Sequence, residues 1–149
     1  MPFITPIYNR TSADAVTAKA SQDSASDLIG ALNVSDLNRI ESNTEWMHDQ
    51  LLSYGYSTTV VAIKTDWAEA DLMYLDDIDR IRQNVKNVVE AYYALVDNPE
   101  ITLGDDKLTT THINTLEHNL YNLNIVLQRM LESFRRSGTF RAGQGVILP

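Results

Sequence analysis

Three stretches of this chain open alike, and each opens an amphipathic helix. They are Asp36-Leu37-Asn38-Arg39-Ile40-Glu41-Ser42-Asn43, Asp77-Ile78-Asp79-Arg80-Ile81-Arg82-Gln83-Asn84 and His112-Ile113-Asn114-Thr115-Leu116-Glu117-His118-Asn119. Each carries Leu or Ile, then Asn or Asp, then Ile or Leu two residues on, then Asn three residues after that. Asparagine is a poor helix-interior residue, because its amide competes for backbone hydrogen bonds. Its return at one equivalent place admits two readings. In one, Asn43, Asn84 and Asn119 face inward and set register, as a buried Asn does in a coiled coil. In the other they are three independent surface residues.

Apolar spacing extends each opening into a long helix. Leu37, Ile40, Thr44, Met47, Leu51 and Tyr54 recur at three and four, which places them on one stripe. Asn33 or Ser35 caps that helix and Gly55 stops it. Leu75, Ile78, Val85, Val89, Tyr92 and Val96 mark a second helix from about 75 to 97, with Arg82 interrupting and Ile81, Val88 and Leu95 widening the face. Ile113, Leu116, Leu120, Leu123, Leu127, Met130 and Phe134 mark a third from about 110 to 136, ended by Gly138. Thr11 or Ser12 caps a short helix through about Ala20. Residues 56–66 are rich in β-branched side chains and read as a lone strand or an extended crossover. The expected fold is therefore all-α: a bundle of three long helices with a short N-terminal helix and extended N- and C-terminal arms. Its parts are an arm with the short helix (1–26), the bundle with its repeat (27–138) and a tail (139–149).

The connections bear on topology. A helix of ~23 residues is ~35 Å long. Fully extended, the segment from Gly55 to Tyr74 spans more than ~55 Å and that from Asn98 to Thr109 about 36 Å. Both are long enough for parallel helices whose openings meet at one end. Up-down-up is the default expectation for consecutive helices.

Composition narrows the function classes. The chain has 149 residues, 44% of them apolar and 21% charged, which is a globular balance. Absence of cysteine removes disulfides, cysteine nucleophiles and thiolate metal sites. A net charge of -8 repels a phosphate backbone. The densest basic cluster, Arg129, Arg135, Arg136 and Arg141, lies where cations complement a helix C-terminus. No apolar run reaches the ~20 residues of a membrane span, and the N-terminus lacks a secretory pattern. The expectation is thus no nucleic acid and no membrane.

Chemical motifs are absent. His48, His112 and His118 lack metal-ligand spacing, and Glu69, Asp71, Asp76, Asp77 and Asp79 lack calcium-loop order. No nucleophile elbow or phosphate loop occurs. The expectation is no cofactor, no metal and no enzyme. What stands out is the apolar ends: Phe3, Ile4, Ile7 and Tyr8 in the arm, and Phe140, Val146, Ile147 and Leu148 in the tail. With Trp67 they are candidate partner contacts, either packing along their own bundle or joining a neighbouring chain.

Several phrases resemble a known family. They are Ile7-Tyr8-Asn9-Arg10-Thr11-Ser12-Ala13-Asp14-Ala15-Val16, then Gly30-Ala31-Leu32-Asn33-Val34-Ser35 running into the first repeat. Lys64-Thr65-Asp66-Trp67, Asp79-Arg80-Ile81-Arg82-Gln83-Asn84-Val85 and Ser137-Gly138-Thr139-Phe140-Arg141-Ala142-Gly143-Gln144 add to them. Together they are similar to a helical domain of tail and baseplate regions in phages and prophages of Gram-positive bacteria. The resemblance implies a structural virion component, repeated by symmetry, assembled in the host cytoplasm with other virion proteins and with copies of itself. Placement in a neck, a collar or the head surface is the alternative within that class, and a cellular helical adaptor is the alternative outside it.

Overall fold

The computed structural model describes residues 2–20, 32–92, 98–104 and 108–137. They form four helices: α1 (Ser12–Ala20), α2 (Val34–Ser53), α3 (Leu75–Tyr92) and α4 (Thr110–Ser137). No strand occurs among the described residues. The long helices α2, α3 and α4 each pack against the other two, and α1 is short.

Each helix starts on the same device, a side chain at its third position reaching back to the cap residue. Asp14 accepts from the Thr11 N–H at 2.7 Å, Asp36 from Asn33 at 3.2 Å and Asp77 from Tyr74 at 3.0 Å. In α4 the Nδ1 of His112 takes this place against the Thr109 N–H at 3.3 Å. Asp36, Asp77 and His112 are the first residues of the three repeats, so the repeat begins with the cap. At its far end α2 closes with Gly55 at φ 85°. Gly55 N–H donates to Leu52 at 3.0 Å and Tyr56 N–H to Leu51 at 2.9 Å, the paired bonds that satisfy the last free carbonyls.

The apolar stripes meet in one core. Leu37, Ile40, Met47 and Leu51 of α2, Ile78, Ile81, Val85, Val88 and Val89 of α3, and Ile113, Leu116, Leu120, Leu123 and Leu127 of α4 are buried. Thr44 is buried with them and returns its hydroxyl to the Ile40 carbonyl at 2.7 Å. Tyr54, Tyr92 and Met130 pack at the edge. Among the described residues, two of those on the expected stripes lie outside the core, Leu75 at 57% exposure and Phe134 at 65%. Both sit at helix ends, where the neighbouring helices no longer cover them. Leu95, Val96 and the expected end of the second helix near 97 lie outside the described residues. Arg82, an interruption in the pattern, is itself 1% exposed.

The helices run parallel, against the up-down-up default. The first crossover, residues 56–74, passes Asn87 at Thr59 and Asn84 at Val61 on α3, then Glu41 at Lys64 and Asn38 at Trp67 on α2. Its residue numbers rise as those of both α3 and α2 fall, so it is antiparallel to each and they are parallel to one another. The arm does the same: Ile4 bonds Asn43, while Ile7 and Arg10 bond Glu117 and Asn114. Long extended connections make this arrangement accessible. The backbone groups held by the helix side chains at Ile4, Ile7 and Arg10, and at Val61, Lys64 and Trp67, lie three apart and not at the two-residue period of a strand. The β-branched run therefore gives an extended crossover with no ladder.

Candidate functional site

The repeats build a ring of polar clamps around the helix starts. The last Asn of each repeat holds the beginning of one extended segment. Asn43 takes Ile4 by both its N–H and its carbonyl at 2.8 Å. Asn84 takes Val61 the same way at 2.9 and 2.8 Å. Asn119 donates to the Pro99 carbonyl at 2.8 Å and to its own Thr115 carbonyl at 2.8 Å. The third residue of each repeat holds the end of a segment that began on another helix. Asn38 grips Trp67 at 2.7 and 3.0 Å, Asn114 grips Arg10 at 3.2 and 2.7 Å, and Asp79 accepts from Gly104 at 3.2 Å. Arm, first crossover and second crossover thus each step from one helix to another, and the molecule has a pseudo-threefold plan.

Asn43, Asn84 and Asn119 are accordingly inward-facing, at 1%, 2% and 2% exposure. Their partners are extended backbone, not a facing helix seam. An amide sets a donor beside an acceptor, which matches the N–H and C=O of a single passing residue, and its second N–H remains for another carbonyl, as at Thr115. A helix start that lacked this side chain would leave those part-buried backbone groups without their protein partner.

Charge completes the clamps. Glu117 of α4 accepts from Arg39 of α2 at 3.1 and 2.6 Å and from the Ile7 N–H, with Arg10 3.6 Å away. Asp36 takes Arg10 at 2.7 Å and also pairs with Arg39. Burial pushes the Glu117 carboxyl above its ordinary value, against the pull of Arg39, Arg10 and the Ile7 N–H. Burial opposes the Arg39 charge too, yet Glu117 and Asp36 together hold its guanidinium above the usual range. Glu41 of α2 repeats the pattern: Arg80 of α3 meets it twice, at 2.8 and 2.7 Å, and Trp67 Nε1 and the Lys64 N–H complete it at 3.0 Å each. The bond to Glu41 raises Arg80 despite burial. At the third interface the charge reverses. Arg82 occupies the place of Glu41 and Glu117, with His112 Nδ1 at 3.1 Å and Asp79 at 3.6 Å.

The candidate partner residues are occupied by their own chain. Phe3 lies 5.4 Å from Trp46. Tyr8 stacks on His118 at 4.7 Å and leans on Tyr121 at 4.9 Å. Ile7 is half-buried, and Ile4 keeps 39% exposure. Trp67 is 6% exposed, with Lys64 Nζ 4.4 Å above its ring. Of the two uses open to the arm, packing along its own bundle is the one seen. Phe140, Val146, Ile147 and Leu148 lie outside the described residues.

The acidic cluster serves turns and caps. Lys64 holds the Asp71 carboxyl below its ordinary value at 2.6 Å, Asp77 caps α3 and Asp79 holds Gly104. Among the described residues no three His, Asp or Glu side chains are grouped to hold a metal, and no helix is long and apolar enough to cross a membrane. No family model, no curated protein and no solved structure matches this chain.

The sequence reading singled out the Asn at the end of the repeat and passed over Asn38, Asn114, Arg39, Arg80, Glu41 and Glu117. Their signal was present, since third, fourth and sixth repeat positions are polar in every copy. A sixth-position residue that breaks the apolar face three times marks a buried ion as readily as a solvated one.

Proposed function

We propose that the chain is a structural, non-enzymatic subunit of a phage particle, placed in the tail or baseplate. In this reading it works in the virion, in contact with other virion structural proteins and with further copies of itself. The observation that carries the reading is where the polar side chains of the repeats point. Asn38, Asn43, Asn84, Asn114, Glu41 and Glu117 all bind this chain's own backbone, stiffening a body rather than converging on an open cleft. The resemblance of the arm, the repeats and the Lys64–Trp67 phrase to phage tail domains supports the same assignment. A contact surface is available around the start of α3, where Leu72, Tyr74 and Leu75 are 74%, 64% and 57% exposed. Symmetric repetition of such a body multiplies individually weak contacts.

Quantitative mass spectrometry of density-purified particles from the source strain tests it. The expected result is this chain in a fixed multiple of the tail proteins. Recovery only in the particle-free fraction overturns it.

A further inference from the structure

The third clamp is incomplete, and what it lacks defines a ligand. In two repeats the terminal Asn meets both backbone groups of one residue, Ile4 or Val61. In the third that residue is Pro99, which has no N–H. Asn119 therefore donates through Nδ2, to Pro99 and Thr115, and no backbone donor of Pro99 meets its Oδ1. Next to Pro99, the Nδ2 of Asn98 is buried with no hydrogen-bond partner. Asn122 Nδ2 donates to Asn98 Oδ1 at 2.9 Å, which leaves Nδ2 as the unmatched end of that amide. Asn98 and Asn119 line the same cavity, of about 280 Å³, with Val89, Pro99 and Ile101 as apolar walls.

The geometry points to this cavity as a site for one peptide unit of an extended segment from another chain. The buried unmet group is the Asn98 Nδ2 donor, which a backbone C=O satisfies, and the Asn119 Oδ1, left without the Pro99 N–H, can accept from the N–H of the same unit. This protein already reads extended backbone by that chemistry at Asn43 and Asn84. The charged rim favours a neutral group over an ion, because Lys86 faces Glu90 at 3.8 Å and Glu100 lies beside them. The volume holds a residue or two, below the usual range for larger ligands. An occupant with a matching carbonyl relieves the buried Asn98 Nδ2, which is otherwise unfavourable. The site does not depend on where the protein acts, so it stands or falls separately from the virion reading.

The test is a titration of the ¹⁵N-labelled full chain with N-acetylglycine N-methylamide, followed by amide chemical shifts. The Asn98 side-chain signals and the Glu100 and Ile101 backbone signals are expected to move and to saturate at roughly millimolar probe. Sodium acetate at equal concentration should leave them in place. In Pro99→Ala the restored N–H closes the clamp on Asn119, and affinity should fall about fivefold or more. Asn98→Leu removes the donor and should have a similar effect, which keeps the test valid if one variant does not fold. Absence of saturable shifts, an equal response to acetate, or undiminished binding in a folded variant overturns the proposal.

Discussion

The arm and the second crossover follow equivalent paths around the bundle but are held very differently. The arm is gripped at both ends by asparagines that take an N–H and a carbonyl each, with Glu117 on the Ile7 N–H between them. At the equivalent clamp positions the second crossover has one bond at Pro99 and one at Gly104 among the described residues, because proline lacks a donor and Asp79 offers no donor of its own. Arg82 stands where the arm meets a carboxylate. Equivalent courses with unequal bonding show that helix packing and the turn at each helix start set the path. The clamps then determine how firmly each path is held.

The largest effect should come from the carboxylate-centred interface. Glu117→Leu leaves Arg10 and Arg39 to share the carboxylate of Asp36, a loss of about 3–5 kcal/mol for a broken buried pair. Arg82→Met should cost less, about 1–2 kcal/mol, since Asp79 is 49% exposed and is rehydrated easily. Urea denaturation of both variants reads the difference, and equal losses would erase the distinction between the two interfaces.

Next come the clamps. Asn84→Leu leaves both the N–H and the carbonyl of Val61 unmet, whereas Asn119→Leu orphans only the Pro99 carbonyl among the crossover groups. The expected losses are about 2–3 and about 1–2 kcal/mol. Thermal melts of the two proteins settle the order.

The pH response sharpens the same contrast. The folded state holds the Glu117 proton above the pH at which the unfolded chain releases it. Stability from this group is thus present below the ordinary glutamate value and is lost as pH rises through the raised one. Asp14, lowered by its bonds to the Thr11 hydroxyl and N–H, acts oppositely and loses its contribution as pH falls below the ordinary aspartate value. Urea midpoints against pH for Glu117→Gln should lack the first trend and retain the second.

The smallest effect lies at the first crossover. Ala62 sits at φ 47°, where a side chain is strained. Ala62→Gly should raise stability by about 0.5 kcal/mol, the relief being partly offset by chain entropy. A melt that shifts downward would show that the Ala62 methyl contributes more than the strain costs.

Helix positions were legible because Leu37 through Leu51 and Ile113 through Leu127 repeat at the helical period, and Asn33, Thr11 and Gly55 punctuate them. The pairing of helices was not. Lengths of connection permit parallel packing without requiring it, and the bonds that require it join residues far apart in sequence, such as Arg39 with Glu117. The buried clamps were half legible. Recurrent Asn43, Asn84 and Asn119 flagged inward positions, but a helical pattern alone does not disclose that an extended segment lies over them. Phe134 shows the converse, since periodicity continues past the point where neighbouring helices end.

The arm's strapping has a temporal consequence. Ile7 and Arg10 find their acceptors 110 and 104 residues later, on Glu117 and Asn114. During synthesis those acceptors do not exist until most of the chain has left the ribosome. Such distant closure slows folding. The nascent protein must therefore carry the stretch beyond Ile4 loose, with Ile7 and Tyr8 uncovered although Phe3 already has Trp46 of α2, and a chain interrupted before α4 has no means of putting them away.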